Sequence, residues 1–100
     1  MSEEDISDRE ASIETLKQTH SFPCDYEFKA IGPNSAAFVA EVIQVGVDVL
    51  GRTAHPQIRT RESSEGKYVS VSMSLEMASP EAILDVYALI RSVEDVRVIL

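Results

Sequence analysis

Cys24 and His20 are the only residues whose types and spacing suggest a nucleophile and its base. A cysteine attacks as its thiolate, and an imidazole four residues away is of a kind that can take the proton. The sequence supplies neither a third group to orient the imidazole nor an oxyanion site. Cys24 therefore reads as a structural cysteine, and the chain as non-enzymatic. It is the single cysteine, so it can form no internal disulfide, and cytoplasmic residence is expected. His55 has no companion at metal-ligand spacing, and no phosphate loop, dinucleotide fingerprint or paired-cysteine motif occurs. No metal or cofactor is expected.

Other residues are of a kind to bind rather than react. Gly32-Pro33-Asn34-Ser35 leads into an apolar, helix-like stretch, and free N–H groups at a helix start can take an anion or carboxylate. Gly32, Asn34 and Ser35 are thus candidate ligand contacts, with an ordinary turn as the simpler alternative. The remaining candidates are the basic and hydroxyl side chains of the strands, whose placement depends on the elements that carry them.

The chain has 100 residues, enough for one domain with its own core. Its 9 basic and 17 acidic residues give a net charge of −8, which disfavours nucleic acid and anionic membranes as partners. Residues 1–10 hold five acids against Arg9, or −4. They are expected to form a disordered acidic tail ahead of a single domain at 11–100. No apolar run approaches the roughly 18 residues of a membrane span, and the acidic N-terminus lacks the features of a signal peptide.

Ile13 and Leu16 support one or two helical turns over 11–17, before Phe22-Pro23. Residues 25–31 alternate, with Tyr26, Phe28 and Ala30 on one side and Glu27, Lys29 and Ile31 on the other, which predicts a half-buried strand. Phe38, Val42, Val45 and Val49 make the apolar stripe of a helix over 36–50, capped by Asn34 or Ser35 and closed by Gly51. The polar strand at 57–62 suits a sheet edge, and Ser63-Ser64-Glu65-Gly66 joins it to the next strand as a hairpin. From Tyr68 to Met77 valine, methionine and leucine alternate with tyrosine, three serines and Glu76. Ser79-Pro80 caps and opens a second long helix, whose buried stripe is Ile83, Val86, Tyr87 and Ile90. A last strand is expected with Val96, Val98 and Leu100 inward and Arg97 and Ile99 outward.

The order β-α-β-β-α-β predicts an α+β, ferredoxin-like sandwich: an antiparallel four-stranded sheet in order 4-1-3-2 with both helices on one face. The other face then presents Lys29, Arg59, Arg61, Tyr68, Ser70, Ser72 and Arg97 as the expected interaction surface. Four cations there, against Glu27, would make a locally basic face on an acidic protein. That face fits solvent, a second copy, an acidic partner or a small anion. RNA-recognition domains of this topology stack bases on aromatic residues at the centre of the sheet. Here Lys29, Ser70 and Ser72 take the central positions, and nucleic acid is not expected to bind.

Phe22-Pro23-Cys24-Asp25-Tyr26 with Lys29 and Gly32, then Ser64, Gly66-Lys67-Tyr68, Ser70 and Val71, then Tyr87, and finally Val96, Val98 and Leu100 resemble the YbeD-like family of small bacterial proteins. The likeness spans about residues 20–100. It implies a ferredoxin-like fold close to ACT regulatory domains, which sense amino acids and other small molecules, usually as paired domains. It also implies the label of lipoic-acid-binding regulatory protein, and it puts Gly32 where ACT domains often place an effector-site glycine. The expected function is thus a small regulatory or ligand-binding module for a carboxylate such as lipoate or an amino acid, with a homodimer as one possible form. The alternative is a protein–protein adaptor using the open face or the edge of the 57–62 strand.

Overall fold

The computed structural model describes residues 3–51 and 56–100; His55 lies outside them. The elements run α1 (Glu3–Thr19), β1 (Cys24–Pro33), α2 (Ala36–Leu50), β2 (Gln57–Glu62), β3 (Tyr68–Met77), α3 (Pro80–Arg91) and β4 (Val98–Ile99). The four strands form one antiparallel sheet in order β2-β3-β1-β4, which is the expected 4-1-3-2 order read from the other end.

β1 and β3 are the spine of the sheet, pairing over their full length from Cys24 opposite Met77 to Pro33 opposite Tyr68. Because side chains alternate, Phe28 and Ala30 of β1 fall on the same face as Val71, Met73 and Leu75 of β3. Phe38 and Val42 of α2 and Ile83, Val86 and Ile90 of α3 close over that face, and all of these residues are buried together. The caps follow from their sequences. Ser35 Oγ accepts from the Phe38 N–H at 3.1 Å, and Ser79 Oγ accepts from the Ala82 N–H at 3.2 Å. Gly51 ends α2 with a φ of 76° and donates to the Val47 carbonyl at 2.9 Å. That left-handed geometry suits glycine.

Two regions depart from the sequence reading. The N-terminal helix is continuous over Glu3–Thr19 and takes in most of the segment expected to be a disordered tail. Docking supplies what intrinsic propensity lacks. Leu16 packs against the core, and the Arg9 guanidinium donates to Asp85 of α3 at 3.3 Å.

The last strand is the second departure. Val98 pairs with Ile31 and Ile99 with Ala30, so Ile99 faces the helices while Val98 and Leu100 face outward, the reverse of the expected parity. Val96 sits in the turn after α3, its N–H at 3.4 Å from the Val93 carbonyl, with Asp95 beside it at a φ of 72°. A left-handed residue and a turn break the alternation, so parity cannot be carried forward from Val96. The uninterrupted apolar run Val98-Ile99-Leu100 offers no alternation of its own to set it.

Candidate functional site

The face away from the helices is a grid of outward side chains, and strand register fixes its rows. Asp25 lies opposite Glu76, and the next row holds Glu27, Ser74 and Gln57. Lys29, Ser72 and Arg59 follow, with Leu100 joined to Lys29 by reciprocal backbone hydrogen bonds of 2.8 and 3.1 Å. Ile31, Ser70, Arg61 and Val98 form the fourth row, and Pro33 and Tyr68 the last.

Charge on this grid is segregated. Arg59 donates to a Glu27 carboxylate oxygen at 3.2 Å across β3, made possible by the short side chains of Ser72 and Ser74 between them. Among the described residues, Lys29 and Arg61 have no carboxylate within ion-pair distance. They share the wall of a hollow of about 320 Å³ with Ile31, Tyr68, Ser70, the hairpin serine Ser63 and Glu62, whose carboxylate is beyond ion-pair distance of both cations. A neighbouring hollow of about 360 Å³ adds Arg59, Ser72 and Glu27 to the same two cations. An ammonium and a guanidinium beside two hydroxyls match the acceptors of a carboxylate, and charge-assisted hydrogen bonds are the strong kind. Ile31, Tyr68 and Val98 give the site an apolar border. Tyr68, Val98 and Leu100 are 39%, 44% and 61% exposed, large values for side chains of this type.

The structure thus brings Lys29, Arg59, Arg61, Tyr68, Ser70 and Ser72 together on one face, and it removes Arg97. That arginine lines a separate hollow with Tyr87, Arg91, Val96 and Ile99 beside α3. The shifted parity of β4 is the reason. Asp25 and Glu76 join the face in its place, although strand alternation already assigned them to it. The count becomes Asp25, Glu27 and Glu76 against Lys29, Arg59 and Arg61, three against three. The expected excess of positive charge is replaced by an acidic end and a basic end.

The second candidate set is occupied within the fold. Gly32 is the penultimate residue of β1 and is buried, and a Cβ there would stand 2.5 Å from the Phe38 ring. Packing of α2 on the sheet therefore demands a glycine at this point, independent of any effector. Asn34 ties the turn to the hairpin, its side-chain amide donating to the Gly66 carbonyl at 2.9 Å and its N–H to the Lys67 carbonyl at 3.1 Å. Ser35 is the cap of α2.

His20 does not meet Cys24 through a hydrogen bond among the described residues. Its Nδ1 lies 2.8 Å from Thr19 Oγ1, and its ring packs against Tyr26 at 5.4 Å between centroids. The Tyr26 and Tyr87 hydroxyls are hydrogen-bonded at 3.0 Å. Burial first, and then that bond, hold the Tyr87 phenol well above its ordinary pKa. Among the described residues no group of three or more His, Cys, Asp or Glu side chains is placed to hold a metal, and no helix is long and apolar enough to cross a membrane.

The chain matches the family described as "Protein of unknown function (DUF493)" over residues 17–100. It is 35% identical to a UPF0250 protein of Pseudomonas syringae pv. tomato over 83 residues, covering 79% of this chain and 87% of that one. A UPF0250 protein of Pasteurella multocida is 31% identical over 85 residues, covering 85% and 94% of the two chains. The match includes every strand and both helices that cover the sheet, and it leaves out most of α1.

Proposed function

This chain belongs to the DUF493 family, and we propose that it is a non-enzymatic regulatory module that binds a small carboxylate on its open sheet face. The observation that carries the reading is the pair Lys29 and Arg61, two cations without a carboxylate partner among the described residues, sharing one hollow with Ser70. The carboxylate would accept from both cations and the hydroxyl. The apolar remainder would lie over Ile31, Tyr68 and Val98. Lipoate, octanoate and the amino acids are the compounds to try first. The likeness to ACT regulatory domains and the lipoic-acid-binding label of YbeD-like proteins support the same class of ligand in a cytoplasmic protein.

Thermal denaturation with each compound at millimolar concentration tests this. A ligand present at a hundred times its Kd stabilises by about 2.7 kcal/mol, which for a domain of this size raises Tm by roughly 10–20 °C. Lys29→Gln and Arg61→Gln should each remove most of that rise. No shift of the wild-type Tm with any of the compounds would sink the small-molecule reading.

The exposure of Tyr68, Val98 and Leu100 favours a second reading, a protein–protein adaptor using the same face. It predicts no thermal response to carboxylates. It also predicts a partner whose capture is lost in Arg59→Glu/Arg61→Glu while circular dichroism stays unchanged.

A further inference from the structure

The charges of the open face are arranged so that no single copy can satisfy them. At one end Asp25 and Glu76 stand directly opposite each other on paired strands. Like charges so placed are unfavourable, and among the described residues neither has a cation within ion-pair distance. At the other end Arg61, and beside it Lys29 in the row of Arg59, are equally without a carboxylate within ion-pair distance among the described residues. The row of Asp25 and the row of Arg61 are six residues apart along β1, or about 20 Å at strand rise. That is about two and a half times the screening length at physiological ionic strength. The two ends therefore do little for each other within one chain. Between them lies the neutral Glu27–Arg59 pair.

This order, acid then ion pair then base, is self-complementary. We propose that the open sheet face pairs with a second copy of the chain, turned head to tail about a two-fold axis that runs across the strands. The axis passes between the row of Glu27 and the row of Lys29. It sets Glu27 against Lys29 of the second copy, and the Asp25–Glu76 row against that copy's Arg61. A two-fold parallel to the strands would instead stack acid on acid, and charge alone excludes it. Such an interface is isologous, with each residue pair occurring twice. Aligned sheets pack about 10 Å apart, and the serines at 70, 72 and 74 leave room for that approach down the middle strand. Edge-to-edge pairing through β2 is the less suitable arrangement, since it would bring Arg59 and Arg61 of both copies to one seam.

The proposal goes beyond carboxylate binding and competes with it, because the second copy's acids would take the same Lys29 and Arg61, whereas Glu76 itself lies at the far end of the face from their hollow. Sedimentation equilibrium of the full chain should show a dimer at about 50 mM salt that weakens at about 500 mM. Arg61→Glu and Glu76→Arg should each raise the dimer dissociation constant on the order of tenfold or more. Arg61→Glu/Glu76→Arg in one chain should restore it, because the two-fold returns both exchanged pairs. Both side chains are exposed, and circular dichroism checks that each variant folds. A wild-type chain monomeric at about 100 μM and low salt overturns the proposal. So does a dimer indifferent to the single reversals, or one that the double exchange fails to restore. Glu76→Arg frees Lys29 and Arg61 from the second copy and should preserve or enlarge any carboxylate-dependent rise in Tm, so a failed dimer and a failed ligand reading give different results.

Discussion

The two faces of this sheet are built from alternate residues of the same strands, and they serve opposite ends. In β3, Val71, Met73 and Leu75 are fully buried under α2 and α3, while Ser70, Ser72 and Ser74 between them lie on the other face, Ser72 buried there among its longer neighbours. In β1, Phe28 and Ala30 belong to the core, while Asp25, Glu27 and Lys29 carry the charge. The covered face holds the folding free energy, because apolar area removed from water stabilises by about 25 cal/mol per Å². The open face contributes little to stability and is free to bind. Substitutions on the two faces should therefore separate cleanly by size, and that separation can be measured.

The largest effect belongs to Phe28, which is fully buried at the centre of the covered face and packs against the Tyr26 and Tyr87 rings at 4.9 and 5.0 Å. Phe28→Ala should cost about 3–5 kcal/mol in urea unfolding, a large share of the total stability of a domain this size. A loss below about 1 kcal/mol would mean that the aromatic cluster is not central to the core.

Next comes Gly32→Ala, whose added Cβ meets the Phe38 ring. Overpacking of this kind should cost about 1–3 kcal/mol. In the double variant Gly32→Ala/Phe38→Leu the losses should fall short of their sum, since the smaller side chain makes room. Strict additivity would show that the ring is not what excludes the methyl. A Gly32→Ala chain of unchanged stability that responded differently to a carboxylate would return this glycine to an effector site.

Tyr87 tests the border between the covered face and α1. Tyr87→Phe removes the hydrogen bond with Tyr26 and should cost about 0.5–1.5 kcal/mol near neutral pH. The phenol is held above its ordinary value, so its contribution is present below the unfolded value of about pH 10 and is lost as pH rises beyond it. Urea midpoints at pH 7, 9 and 10.5 should fall more steeply for wild type than for Tyr87→Phe. Parallel curves would show that neither burial nor the Tyr26 bond holds the proton on Tyr87.

How far the sequence was legible followed the strength of alternation. β1 and β3 each show an unbroken period of two, so their faces, their pairing and the sheet order could be anticipated. The caps at Ser35 and Ser79 rested on local chemistry and needed no tertiary knowledge. β4 resisted because Val98, Ile99 and Leu100 are all apolar, and register there depends on a turn at Asp95 that no pattern marks. The N-terminal helix resisted because its apolar content is only Ile13 and Leu16 over the helix expected at 11–17, and what holds it is docking on α3. At the candidate site, Lys29, Arg59, Arg61 and the serines followed from parity alone. Gly32, Asn34 and Ser35 have jobs inside the fold that spacing could not distinguish from ligand contacts.

The smallest effect should be that of Arg59→Ala, and it bears most directly on the contrast between the faces. Its ion pair with Glu27 is mostly exposed, and exposed pairs contribute about 0–1 kcal/mol. A cycle with Glu27→Gln, read from urea midpoints, should give a coupling below about 0.5 kcal/mol in dilute protein, and less still at high salt. A loss of 2 kcal/mol at low concentration would place this face among the determinants of the fold and erase the contrast. A loss that grows only as the protein is concentrated belongs to association. An isologous interface presents the pair twice, so a small change in each chain is doubled in the assembly while the isolated fold hardly registers it.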